Sequence, residues 1–157
     1  MMSPLCERVI HALLERGQTL ATAESLTGGG IGAALTAVPG ASAVYHGGVV
    51  SYVNDVKHRI LGVSREDLDR VGAVSAPVAL AMAKGVRDLI GTDYAISVTG
   101  LAGPAGDDFG HVVGTVFVGL AGPAGERVEE CHFTGTRQQI RQQTIQAALE
   151  LLLNCMR

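Results

Sequence analysis

The sequence predicts a layered α/β domain on a mixed, mostly parallel sheet. Three observations carry that prediction. Short apolar runs with strand character alternate with longer amphipathic runs of helical period, the pattern of strand–helix–strand units. The composition suits close-packed layers, with 47% hydrophobic residues, 21 glycines, no Trp and only three each of Tyr and Phe among 157 residues. Two glycine-rich stretches, Glu24–Gly30 and Thr99–His111, each follow a strand-like run, and the second leaves the strand end where open α/β sheets place their ligand loops.

Taken along the chain, Ser3-Pro4 starts a helix with a hydroxyl cap and a proline at its first position, and Gly17 ends it. Leu5, Val9 and Leu13 recur there at helical spacing. Thr19–Ala23 reads as a strand, and an apolar helix follows the glycine turn and stops at Pro39-Gly40. Val49–Val53 is a second strand carrying Tyr52. Asn54 is a helix cap and Gly62 a stop, so Asn54–Leu61 reads as a short helix with Lys57 in its first turn. Ser64 caps a brief helix ending near Gly72, and Ser75 caps Ala76–Ile90, whose Val78, Met82, Val86 and Leu89 form an apolar face. Tyr94–Val98 is a buried strand. Gly114–Leu120 and Arg127–Phe133 form a hairpin around Gly122-Pro123-Ala124-Gly125. Thr136-Arg137-Gln138-Gln139 has the form of a capping box opening a last helix to about Leu153.

The totals exclude several classes. One domain, residues 1–157, accommodates the length. A net charge of −3 and few aromatics leave neither the basic footprint nor the stacking platform of a nucleic-acid binder. No apolar segment is long enough to cross a bilayer and the N-terminus lacks a signal-peptide core, so a cytoplasmic protein with no membrane partner is expected. Cys6, Cys131 and Cys155 are widely spaced and odd in number, as expected of free thiols.

Candidate chemistry gathers at three places. A lysine in a helix's first turn faces the positive end of the dipole, and burial further lowers its pKa. A neutral lysine near a serine hydroxyl makes an activated nucleophile, and Ser42, Tyr52 and Lys57 lie within one stretch; a surface lysine is the alternative. The turn Ser25–Gly30 is either an anion cradle of converging N–H groups or a tight turn that lets helix and strand pack. Arg137 and Arg141 share one face at a helix start, suiting a phosphate or making a solvated basic face. Asp107 and Asp108 read as solvated turn residues, since no other acid or histidine completes a metal site.

Seven motifs then occur in the order of one family: A-E-S-L-T-G-G (Ala23–Gly29), V-P-G-A-S-A (Val38–Ala43), S-Y-V-N-D-V-K (Ser51–Lys57), L-G-V (Leu61–Val63), G-A-V-S-A-P-V-A (Gly72–Ala79), S-V-T-G-L-A-G-P (Ser97–Pro104) and V-G-T-V (Val113–Val116). The chain resembles the C-terminal domain of the competence/damage-inducible CinA family, the nicotinamide-nucleotide amidohydrolases. The resemblance implies a three-layer α/β/α sandwich on a mixed five-stranded sheet with one antiparallel strand. It also implies hydrolysis of nicotinamide mononucleotide to nicotinate mononucleotide and ammonia with no metal or cofactor. By resemblance Ser42 is the nucleophile, with Tyr52 and Lys57 as partners. Ser25, Thr27, Gly28, Gly29, Thr99, Gly100, Gly103, Arg137 and Arg141 then hold the substrate. The chain departs from the family pattern at Leu26, Ala41, Val44-Tyr45, His46-Gly47, Gly110-His111-Val112 and Thr136. A homo-oligomer is expected from the small, apolar composition. Family members often carry a second domain, and none is expected within these 157 residues. A binding-only descendant and a DNA-processing accessory remain as alternative readings, the latter disfavoured by the acidic balance.

Overall fold

A computed structural model describes residues 3–157. Its elements are α1 (Pro4–Arg16), β1 (Leu20–Glu24), α2 (Gly30–Thr36), a short 3-10 turn (Ala41–Ala43), β2 (Tyr45–Val50), α3 (Asn54–Leu61), α4 (Arg65–Arg70), α5 (Ala76–Ile90), β3 (Tyr94–Gly100), β4 (Thr115–Gly122), β5 (Gly125–His132) and α6 (Arg137–Cys155). The sheet order is β2-β1-β3-β4-β5. β1 pairs parallel with β2 and β3, while β4 is antiparallel to both β3 and β5, so β4 alone runs against the other four. One face packs against α1, α2 and α6 and the other against α3, α4 and α5, which makes the expected mixed three-layer sandwich.

Local chemistry explains the helix ends. The Ser3 and Ser64 hydroxyls accept from the N–H groups of Leu5 and Asp67. Thr136 and Gln139 complete a reciprocal capping box at α6. The cap of α3 differs from expectation. Val53 holds that position without a side-chain bond, leaving the Asn54 side chain free.

The second strand also shifts: it spans Tyr45–Val50 rather than Val49–Val53. Gly47 and Gly48 lie within it, where adjacent glycines in sequence suggest a turn. An edge strand tolerates them because only one side must pair. Along it, exposed and half-buried residues alternate. The chain leaves the sheet at the fully buried Ser51, whose N–H and hydroxyl both donate to the carbonyl of Glu24.

Two apolar cores sit on either side of the sheet. Val9, Ile10 and Leu13 of α1 pack with Ile31, Ile96, Leu149 and Leu152 on one face. Leu61, Val63, Leu68, Val78, Met82 and Val86 pack over Ala21, Ala23 and Ala95 on the other. In the second core, α5 crosses the end of α3 at Gly85, where an added Cβ would collide with the carbonyl oxygen of Leu61. Backbone lies on both sides of this contact, so neither helix can yield by a rotamer change. Gly85→Ala is expected to cost about 1–3 kcal/mol, the usual range for overpacking. Urea unfolding should show this as a lower midpoint, and an unchanged midpoint would mean that the helices part freely. Among the described residues no helix is long and apolar enough to cross a membrane, and the three cysteines are free.

Candidate active site

Strand direction decides which side chains meet. β1, β2, β3 and β5 all point the same way, so the segments after them emerge along one edge of the sheet. Those segments carry Ser25, then Ser51 to Lys57, then Gly100 to Gly103, and finally Arg137. This edge of a parallel sheet is where α/β proteins bind ligands. A cavity of about 500 Å³ lies there, lined among others by Ser25, Leu26, Tyr52, Asn54, Lys57 and Arg137.

Lys57 is the largest fully buried side chain, at 1% exposure. Its Nζ donates to Ser25 Oγ at 3.0 Å and to the carbonyls of Ser51 and Tyr52 at 2.7 and 3.5 Å. No carboxylate is among these partners. Burial therefore pushes its pKa down from 10.5 to about 8, because the ammonium loses water without gaining a counter-ion. The cause is desolvation, the burial effect expected from the sequence.

Ser42 is not part of this arrangement, which corrects the expected Ser42–Lys57 pair. It is exposed, in the 3-10 turn that precedes β2, whereas Lys57 follows that strand. Val44 accepts from the N–H of Leu20 at the start of β1, and Ser51 bonds Glu24 at its end. The six residues of β2 between the two ends separate them by about 20 Å at the usual strand rise. Ser25 takes the position beside the amine. It directly follows β1 and is 7% exposed, and its own N–H donates to the carbonyl of Val98.

Tyr52 is placed differently from expectation as well. Only its carbonyl faces Lys57; its hydroxyl accepts from Arg137 Nη2 at 2.9 Å. Arg137 also donates to the carbonyl of Gly103, bridging the segments after β2 and β3 at the cavity rim. Thr99, Gly100 and Gly103 line the cavity, although the Thr99 hydroxyl is committed to the carbonyl of Ala73 at 2.9 Å.

The first glycine turn is already filled. Glu24, 2% exposed, turns its carboxylate into the N-terminus of α2. Oε1 accepts from Thr27 Oγ at 2.6 Å and from the Ile31 N–H at 2.8 Å, and Oε2 accepts from the Gly32 N–H at 3.0 Å. An internal carboxylate thus takes the place of an external anion. Thr27, Gly28 and Gly29 shape the turn and do not line the cavity. Arg141 holds the same turn from outside, donating to the carbonyls of Leu26 and Thr27 at 2.9 and 3.0 Å. It faces a separate, larger groove of about 880 Å³ between α1, α2 and α6, which contains neither Ser25 nor Lys57.

Sequence reasoning missed Glu24, Ser51 and Asn54 as parts of the site. A signal for Glu24 exists: an acid just before a Thr-Gly-rich helix start is placed to cap it. Asn54 reads as a cap, and Ser51 contributes a backbone carbonyl, which no residue type announces. Among the described residues no cluster of acids, histidines and cysteines forms a metal site.

Comparison with known proteins points to one family. The CinA C-terminal domain model matches residues 2–156. A putative competence-damage inducible protein of Bacillus subtilis is 46% identical over 149 residues, 95% of this chain and 36% of that protein. A CinA-like protein of Parasynechococcus marenigrum is 59% identical over 109 residues, 69% of this chain and 26% of that one. The chain thus spans about a quarter to a third of the length of these curated relatives. Among solved structures, the competence/damage inducible protein CihA from Agrobacterium tumefaciens superposes with a TM-score of 0.93 at 38% identity, covering 98% of both chains. A CinA superfamily protein from Klebsiella pneumoniae gives 0.94 at 36% identity, covering 97% of this chain and 95% of that one. On sequence and fold together, this chain belongs to the CinA C-terminal domain family.

Proposed function

We propose that this domain is an amidohydrolase in which Ser25 is the nucleophile and Lys57 its general base, acting on the carboxamide of nicotinamide mononucleotide. The 3.0 Å contact between a buried lysine without a counter-ion and a serine hydroxyl carries the reading. A lysine with a pKa of about 8 is neutral in about a tenth of molecules at pH 7, enough to accept a proton from serine.

In the proposed cycle, Ser25 Oγ attacks the carboxamide carbon while its proton passes to Lys57 Nζ. The tetrahedral intermediate collapses as Lys57 returns that proton to the amine, releasing ammonia and leaving an acyl ester on Ser25. Water then attacks the ester, gives a proton to Lys57, and yields the carboxylate as Ser25 recovers its hydrogen. The carbonyls of Ser51 and Tyr52 aim the amine throughout. A developing oxyanion needs a fixed donor near the nucleophile. The N–H of Leu26 suits that role, because Leu26 lines the cavity beside Ser25 and its N–H stands outside the bonds from Ser25, Gly28 and Gly30 that hold the turn.

Arg137 is the better anion partner of the two arginines. It lines this cavity and has N–H groups to spare beyond its two bonds, whereas Arg141 is spent on loop carbonyls facing another groove. The test is ammonia release from nicotinamide mononucleotide and from its riboside. Arg137→Ala is expected to raise KM for the mononucleotide by roughly tenfold or more, the size of a charge-assisted hydrogen bond, and to leave the riboside unaffected. Equal losses on both substrates would remove Arg137 from phosphate binding. Binding of the mononucleotide with no ammonia from either substrate would favour a non-catalytic nucleotide-binding domain.

A further inference from the structure

The loop between β3 and β4 places an aromatic side chain in the cavity that holds Ser25 and Lys57. Asp107 organises this loop. Its Oδ1 accepts from the N–H groups of Phe109 and His111 at 3.1 and 2.9 Å, and its Oδ2 pairs with His111 Nδ1 at 2.7 Å. The His111 ring in turn meets Phe117 of β4 edge to face, with centroids 6.4 Å apart and planes at 75°. The loop is therefore tied internally at Asp107 and to the sheet at His111.

Phe109 stands on this support. Its ring rests against Gly72, where an added Cβ would lie 2.6 Å from Cδ2, and Gly72 has a φ of +79°, a conformation side chains rarely adopt. Absence of a side chain at Gly72 is what lets the ring lie there. Phe109 nevertheless remains 45% exposed, and it lines the same cavity as Ser25 and Lys57. An uncovered aromatic ring in the same cavity as a nucleophile is suited to stacking on a flat, unsaturated ligand.

We infer that Phe109 is a specificity-determining residue, the wall against which the aromatic ring of a planar carboxamide substrate lies while its amide reaches Ser25. This rests on the amidohydrolase reading and names the substrate class for that site: aromatic carboxamides in preference to saturated ones. Stacking then selects the ring, and Arg137 at the cavity rim selects the anion.

The test uses Phe109→Leu, close in volume but without a π face, and Phe109→Tyr, which restores one. Kd for nicotinamide mononucleotide is measured by calorimetry on Ser25→Ala protein carrying each change, and kcat and KM by ammonia release with Ser25 intact. Phe109→Leu is expected to weaken Kd and raise KM by about tenfold while kcat stays within about twofold, and Phe109→Tyr to return both close to the parent values. Leucine binding as tightly as phenylalanine, or tyrosine binding as poorly as leucine, would overturn the inference while leaving the amidohydrolase reading intact. Binding that follows the expected order without any ammonia release would sustain the wall and overturn the hydrolase. Absence of binding by the Ser25→Ala protein would overturn the wall.

Discussion

Ser25→Ala is expected to lower ammonia release from nicotinamide mononucleotide by about 10³-fold or more, the loss that follows removal of a nucleophile whose partners remain. Ser42→Ala, in the same assay, should stay within about twofold, because an exposed side chain in a turn contributes little. The contrast separates two serines that belong to equally good family motifs. Its basis is the 3.0 Å bond from Lys57 to Ser25 and the length of β2 that lies between Lys57 and Ser42. Ser25→Ala removes one buried hydrogen bond to a mostly charged amine, at about 1.5–3 kcal/mol, so the protein should remain folded and the loss should reside in kcat. If Ser42→Ala abolished activity and Ser25→Ala did not, the nucleophile would lie at the other end of the sheet.

Lys57→Met should abolish activity to a similar degree and should also alter how stability varies with pH. The lysine titrates at about 8 in the folded protein against 10.5 unfolded. Below pH 8 both states hold the proton, and the folded state bears the full cost of a buried ammonium. Between 8 and 10.5 the unfolded state binds more protons, so stability rises with pH; above 10.5 the gain is complete. The shift corresponds to about 3 kcal/mol. Wild type should therefore gain stability relative to Lys57→Met across that window, read as diverging urea midpoints. Under the proposed mechanism the same titration governs turnover, since only the neutral amine accepts a proton. The logarithm of kcat/KM should rise with unit slope below pH 8 and level off above it. A profile flat from pH 6 to 9, with parallel midpoints, would show that Lys57 does not titrate as the base.

Several parts of the fold and one feature of the site are legible in the sequence because their chemistry is local. The cap at Ser64 and the capping box at Thr136 follow from spacings of three residues, and the structure reproduces both. A lowered pKa for Lys57 is legible too, although the deciding cause is burial. The partner of Lys57 is harder to see, because Ser25 lies 32 residues away in sequence. Proximity in the chain favours Ser42, and strand direction overrules it. A serine that precedes a parallel strand and a lysine that follows it must lie at opposite edges of the sheet. The order of elements alone excludes the pair once the second strand is placed at Tyr45–Val50.

By itself, the sequence determined the α/β class, the succession of helices and strands, the family and the residue types available to a site. These follow from periodicity, caps and ordered motifs, all properties of neighbours along the chain. Only the tertiary structure decided that Ser25 meets Lys57, that Glu24 fills the anion cradle, and that Arg141 braces a loop while Arg137 faces the cleft. The first of these depends on the sheet order β2-β1-β3, which sets the end of β1 beside the end of β2. That order is fixed by non-local pairing and by the two packed faces, which no short window of residues contains.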